Sequence, residues 1–156
     1  MKRIGLTGNI GTGKSTIARI FEVLEVPVYH ADMRARLLME TGSVIAGVEK
    51  LFGSQVLNSS RQVDRKALAD IVFKDKQKLA ALNNLLHPLV EKDFSDWCEI
   101  QKNQPYILHE AAILFESGFD RLFDATILVV APLQTCIQRV VNRDSLSQES
   151  VLERIE

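Results

Sequence analysis

The sequence predicts an α/β fold in which a parallel sheet is flanked by helices. Three observations carry that prediction. Short apolar runs of strand length alternate with longer stretches of helical periodicity, the pattern of strands joined by crossover helices. Two of the runs, Pro105 to His109 and Ala125 to Val130, lack polar–apolar alternation, as strands buried on both faces do. A glycine-rich segment also stands between the first strand and the first helix, at the carboxyl end of a strand, where open α/β sheets bind their ligands.

The elements follow in order. Arg3 to Thr7 is a mostly apolar strand that stops at Gly8, and from Lys14 the residues Ile17, Ile20, Phe21 and Leu24 mark one face of an amphipathic helix. Val26 to Tyr29 is a second strand that ends at His30-Ala31-Asp32; Pro27 lies near its start, where a missing N–H does least harm. From Met33 to Asn103 the periodicity is helical in several pieces, broken at Gly42, at Gly53 and across the polar run Asn58 to Gln62. This stretch reads as a helical insertion, and Pro88 predicts a helix boundary inside it. After the two apolar strands, Pro132 opens another helix.

A chain of 156 residues with 46% apolar content fits one globular domain. Its net charge of −1 and pI near 6.3 do not supply the extended cationic field of a general nucleic-acid binder. Cys98 and Cys136 stand far apart and in no Cys-x-x-Cys pair, which suits reduced thiols in the cytosol. The apolar run before Gly8 is far shorter than a signal-peptide core or a membrane span. The expectation is a soluble, cytoplasmic protein with a small-molecule substrate and no nucleic-acid or membrane partner.

Gly8-Asn9-Ile10-Gly11-Thr12-Gly13-Lys14-Ser15 matches G-x-x-x-x-G-K-[ST] at every fixed position, with a predicted strand before it and a helix after it. Glycines allow successive N–H groups to turn inward, so Asn9 to Gly13 form a cradle for phosphate oxygens. The helix adds the positive end of its dipole, Lys14 suits the β- and γ-phosphates, and the Ser15 hydroxyl suits Mg²⁺. Thr16 completes the candidate nucleotide-binding segment. GTPases and mechanical ATPases share this loop. The guanine-reading pattern Asn-Lys-x-Asp occurs nowhere in the chain, which favours ATP.

Several charged residues are candidates for the chemistry. Asp32 follows the second strand, at the sheet's carboxyl edge; it is either a carboxylate that positions an acceptor hydroxyl and takes its proton, or the cap of a helix starting near Met33. Glu110 ends the third strand as either a Mg²⁺-orienting acid or a solvated strand-end residue, whereas Glu116 reads as an ordinary surface acid. Arg139 and Arg143 are four apart on the last helix and project from one face, suited to ATP phosphates unless Asp144 neutralises Arg143. His87 reads as a packed or capping histidine, and Arg65 with Lys66 is open between solvated charges and an anionic-acceptor site.

Taken together, these segments resemble the dephospho-CoA kinase family. The resemblance rests on Leu6-Thr7-Gly8-Asn-Ile-Gly-Thr-Gly-Lys-Ser15, Ala31-Asp32, Asp64-Arg65-Lys-Ala-Leu68 with Val72-Phe73, Leu82-Asn-Asn-Leu-Leu-His-Pro88, Ile113-Leu-Phe-Glu116 and Arg139-x-x-x-Arg143-Asp144. It implies transfer of the ATP γ-phosphate to the ribose 3′-hydroxyl of dephospho-CoA with Mg²⁺, in the final step of coenzyme A synthesis. It implies a P-loop kinase fold with a parallel sheet in the order 2-3-1-4, beside which the family has a fifth strand. The nucleotide-binding core would take 1–32 and 104–140, the acceptor-binding insertion 33–103, and the start of a mobile lid 141–156. The implied roles are catalysis for Asp32, Lys14 and Arg139, nucleotide contacts for Asn9 to Thr16, Arg139 and Arg143, acceptor contacts for Asp32, Arg65 and His87, and metal contacts for Ser15 and Glu110.

Three positions depart from the family pattern. His30-Ala31-Asp32 stands where many members read Asp-Ala-Asp, and Glu110-Ala111-Ala112 where an acid-x-Pro is common. The chain also stops at Glu156, inside what resembles the lid helix. The expectation is that residues 1–156 alone associate through an uncovered strand edge at Ala125 to Val130 and transfer phosphate poorly. Two other functions compete with this reading: a kinase of the same fold for another small alcohol or nucleotide, and a nucleotide-binding switch protein.

Overall fold

The computed structural model describes residues 1–115, 118–145 and 147–155, with side chains in the last stretch described only to Leu152. Glu116 therefore lies outside the described residues. The chain divides into two compact units, Met1–Asp32 with Gln101–Glu156, and Met33–Ile100.

The first unit is built on a four-stranded sheet. Strands β1 (Lys2–Thr7), β2 (Val28–His30), β3 (Tyr106–Glu110) and β4 (Ala125–Leu128) lie in the order β2-β3-β1-β4, and every pairing is parallel. This is the order that the resemblance implies. Helix α1 (Lys14–Val23) follows β1 and packs Ala18 and Ile17 against Leu6 and Leu108. The strands are apolar because both faces of β1 and β3 are covered: Leu6, Ile107 and Leu108 are fully buried.

β4 departs from expectation in two ways. Regular pairing ends at Leu128 rather than Val130, although the Val129 N–H still donates to the Thr7 carbonyl at 2.8 Å. All four of its residues are exposed, not buried on both faces. β4 pairs with β1 alone and forms the sheet edge, so an apolar run without alternation does not by itself tell an edge strand from a central one. Helix α6 (Leu133–Asp144) comes next, and Ile137 and Val140 pack with Val151 of helix α7 (Gln148–Ile155).

The second unit holds most of α2 (Ala31–Leu38), then α3 (Gly42–Phe52), a 3₁₀ turn at Ser54–Val56, α4 (Arg65–Val72) and α5 (Lys76–Ile100). Val44, Val48, Phe52, Val56, Leu68, Val72 and Leu82 form its core. The sequence breaks fall as read: Gly53 ends α3 at φ 83°, and Asn58 closes a turn by accepting the N–H groups of Ser60 and Gln62, both at 3.0 Å. Pro88 does not mark a boundary, because α5 runs through it. Its missing N–H leaves one carbonyl a turn earlier without a helical donor, a local loss that the packing of Leu82, Val90, Phe94 and Cys98 along the same helix outweighs.

Among the described residues no helix is long and apolar enough to cross a membrane.

Asp64 illustrates how one polar side chain starts an element. It is the N-cap of α4, and its carboxylate accepts from the N–H groups of Lys66 and Ala67 at 3.0 and 3.1 Å. Asp64→Ala should lower stability by about 1 kcal/mol, and Asp64→Asn by a few tenths, when denaturant midpoints are compared. Equal losses in the two variants would show that the cap is not what Asp64 supplies.

Candidate active site

The site is assembled by strand register. In the parallel pairings Leu6 lies opposite Glu110, and Glu110 opposite His30, so the carboxyl ends of β1, β3 and β2 lie side by side. The chain leaves β1 through the loop Gly8 to Gly13 and enters α1 at Lys14.

Within the loop, glycine is required where the chain folds back on itself. Gly11 has φ 79°, and a Cβ there would stand 2.5 Å from the Cys136 carbonyl oxygen and 2.9 Å from its Cα. Gly13 caps α1 at φ 100°, and its carbonyl accepts the N–H groups of Thr16 and Ile17 at 3.0 and 3.1 Å. A side chain at either position would be strained in the left-handed region. Asn9 and Thr12 pin the turn: the Asn9 side chain accepts the Ile10 N–H at 2.8 Å, and the Thr12 hydroxyl donates to the Asn9 carbonyl at 2.8 Å. Ser15 and Thr16 stand exposed in the first turn of α1.

Four side chains make a continuous polar chain over the sheet end. Lys14 Nζ donates to Glu110 Oε1, His30 Nδ1 meets Glu110 Oε2 at 3.0 Å, and His30 Nε2 meets Glu22 Oε1 at 2.9 Å. Glu110 is buried, with 7% of its side chain exposed, so it is not the solvated strand-end acid that one sequence reading allowed. Burial disfavours its carboxylate, but the hydrogen bonds and charges of Lys14 and His30 outweigh that and hold its pKa below the ordinary 4.5. For His30, burial opposes the charged ring, and hydrogen bonds to Glu22 and Glu110 prevail, raising its pKa above 6.5. Sequence reasoning left His30 and Glu22 out of the site. The signals for His30 were its position at the end of a strand, two residues before Asp32, and its departure there from the pattern of the family that the sequence resembles.

Arg139 meets the loop from α6. Its Nη1 donates to the carbonyls of Gly11 at 3.2 Å and Thr12 at 3.1 Å. Arg143, one turn on, instead pairs with Asp144 through Nε and Nη2 at 2.7 and 2.8 Å, the neutralising contact weighed from the sequence. Asp32 is exposed in the first turn of α2. That helix begins at Ala31, so Asp32 lies inside it rather than preceding it as a cap; there its carboxylate is near the positive end of the helix dipole. In the second unit, Arg65 is the exposed first residue of α4 and His87 is half-buried within α5. Of the segment Ile113 to Phe115, only Leu114 is buried.

A cavity of about 220 Å³ opens beside the loop, walled by Asn9, Ile10, Thr12, Val129, Leu133 and Cys136. Among the described residues no three acidic, histidine or cysteine side chains gather as a metal cage. The hydroxyl of Ser15 and the carboxylate of Glu110 are donors of the hard-oxygen type that Mg²⁺ takes in small number, the rest coming from phosphate and water.

The dephospho-CoA kinase family model matches residues 2–156. The chain is 39% identical over 155 residues to a dephospho-CoA kinase of Aquifex aeolicus, covering 99% of this chain and 79% of that relative. It is 38% identical over 153 residues to a dephospho-CoA kinase of Leptospira interrogans, covering 97% and 74%. Among solved structures it superposes on TT1252 from Thermus thermophilus with a TM-score of 0.87 at 36% identity, and on the dephospho-CoA kinase from Campylobacter jejuni with a TM-score of 0.69 at 27% identity. Each superposition covers 98% of this chain and 78% of the other.

The opposed shifts of His30 and Glu110 define a pH window for stability. Glu110, lowered below 4.5, contributes stability above that value and loses it as pH falls through its folded pKa. His30, raised above 6.5, contributes below 6.5 and loses its contribution as pH rises through its folded pKa. The thermal midpoint of the wild type should therefore fall relative to that of His30→Gln, which lacks the titrating ring, as pH rises above 6.5 and through the raised pKa of His30. Parallel curves for the two proteins would remove His30 from the linkage.

Proposed function

The chain belongs to the dephospho-CoA kinase family, and from that premise we propose how its residues divide the work. The protein is an ATP-dependent kinase that phosphorylates dephospho-CoA in coenzyme A biosynthesis. The observation that carries the residue assignment is the seating of the Gly8–Ser15 loop at the carboxyl end of the parallel sheet, with Lys14 over Glu110.

In this reading the N–H groups of Asn9 to Gly13, with the first turn of α1 through Thr16, hold the ATP phosphates. Lys14 leaves Glu110 for the β- and γ-phosphates. Asp32 orients the ribose 3′-hydroxyl of the acceptor and takes its proton as that oxygen attacks the γ-phosphorus. The bond from the γ-phosphorus to the β,γ-bridging oxygen breaks, and ADP leaves. Arg139, already against the loop, meets charge on the transferring group with its planar fork, and Arg143 exchanges Asp144 for phosphate. Ser15 and Glu110 would hold Mg²⁺, which supplies charge neutralisation at the phosphates when bound. Residues 1–32 and 104–140 serve the nucleotide, 33–103 bind the acceptor through Arg65 and His87, and 141–156 begin the lid. We place the protein in the cytoplasm, where its substrates are made and used.

The test is ADP production with dephospho-CoA, nucleoside monophosphates, shikimate or gluconate offered in turn. Only dephospho-CoA should support turnover, and a better alternative acceptor would overturn the substrate assignment. Lys14→Ala should abolish transfer and weaken ATP binding, so near-normal turnover would sink the assignment of the loop. Asp32→Asn should keep the fold and lose about 10²–10⁴-fold in kcat. An unchanged kcat would leave Asp32 with a helix-terminus role alone.

A further inference from the structure

The polar chain over the sheet end closes on itself. Lys14, at the start of α1, reaches Glu110 on β3; Glu110 reaches His30 on β2; and His30 reaches Glu22, two turns further along α1. Both nitrogens of the His30 ring face carboxylate oxygens, which accept but do not donate. The ring makes both bonds only as a two-fold donor, with one proton on each nitrogen. Glu110 therefore has two cationic donors, one on each oxygen, and only one of them belongs to the phosphate-binding loop.

That asymmetry matters once Lys14 is needed elsewhere. A buried carboxylate stripped of its cation is costly, because its desolvation is no longer offset. If Lys14 were the sole side-chain partner of Glu110, every nucleotide that recruited the lysine would leave that cost behind until Mg²⁺ reached the carboxylate. The nucleotide would bind more weakly as a result.

Resting on the reading of the loop as an ATP site, we propose that His30 is a positioning residue for nucleotide binding: anchored by Glu22, it holds the Glu110 carboxylate in place and remains its partner when Lys14 turns to the ATP phosphates. Glu22 acts at one remove, by fixing the ring. The assignment needs no movement of the strands, because His30 and Glu110 are already register partners. It gives a role to a histidine at the end of β2 and to a glutamate on α1 that no motif singles out.

Four variants test it: His30→Ala, His30→Gln, Glu22→Gln, and His30→Ala in a Glu110→Gln background. For each, ATP dissociation constants are measured by calorimetry without acceptor and without divalent metal, so that His30 alone can stay on Glu110, alongside kcat, both KM values with Mg²⁺ and the thermal midpoint. His30→Ala should weaken metal-free ATP binding about tenfold and raise the KM for ATP in the same direction, while kcat at saturating ATP and the KM for dephospho-CoA stay within about twofold. His30→Gln should restore most of the loss, since its amide can donate to Glu110. Glu22→Gln should shift ATP affinity in the same direction by about two- to threefold. In the Glu110→Gln background, where no buried charge awaits a partner, His30→Ala should have no further effect on ATP binding.

Unchanged ATP affinity in His30→Ala overturns the proposal. So do additive effects of His30→Ala and Glu110→Gln, or a loss spread equally over kcat, both KM values and the midpoint, which marks a structural role only. A wild-type chain that fails to bind ATP overturns the reading of the site and this proposal together; a wild type that binds ATP beside an unaffected His30→Ala overturns the proposal alone.

Discussion

The end of the sheet is organised around a buried carboxylate. Glu110 is delivered by β3 to the carboxyl edge, shielded from water, and met by Lys14 on one oxygen and His30 on the other. The attraction it gains from Lys14 and His30 outweighs its desolvation and holds its pKa below 4.5. Its consequence is placement. The carboxylate fixes where the ammonium of the phosphate-binding loop rests, and that position lies at the start of α1, where inward-turned N–H groups and the helix dipole also favour anions.

Adjacent residues of β3 show how the pleat sorts similar groups into different chemistry. Glu110 faces the polar chain, while His109, one residue back, turns to the opposite face. There its ring packs at 5.1 Å from Tyr29, 4.9 Å from Phe123 and 6.3 Å from Phe119. Burial pushes the His109 pKa down to about 4, so that ring is neutral in the physiological range. His30, partly exposed between two carboxylates, is shifted the other way. Side-chain alternation along a strand thus makes one histidine part of a core and the other part of a charged array. Nothing in the identity of the residue distinguishes them.

Local chemistry was legible wherever a short-range rule applied. The loop from Gly8 to Ser15 carried its own explanation, because phosphate binding by backbone N–H groups demands glycines at particular spacings. The stop at Gly53, the turn at Asn58 and the α/β alternation were equally readable. Pro88 shows where local rules give way. The residue before a proline is biased away from helix, yet tertiary packing along α5 keeps the helix continuous. β4 fails for the converse reason: an apolar, β-branched segment states that it is a strand but not whether its faces will be covered.

Sequence by itself determined the fold class, the nucleotide loop and, through an ordered set of motifs, the family, since each depends on residues close together in the chain or on their order along it. It also singled out Asp32, Glu110 and Arg139 one at a time. Tertiary structure alone decided which side chains these meet. The register of three parallel strands sets Leu6, Glu110 and His30 side by side, although they are separated by tens of residues. Only that alignment shows that the loop lysine rests on a buried glutamate, that a histidine shares the same glutamate, and that Arg139 is tied to the loop while Arg143 is paired with Asp144. Partner choice is a property of distance in space, and a linear pattern carries no information about it until the sheet has fixed which residues are neighbours.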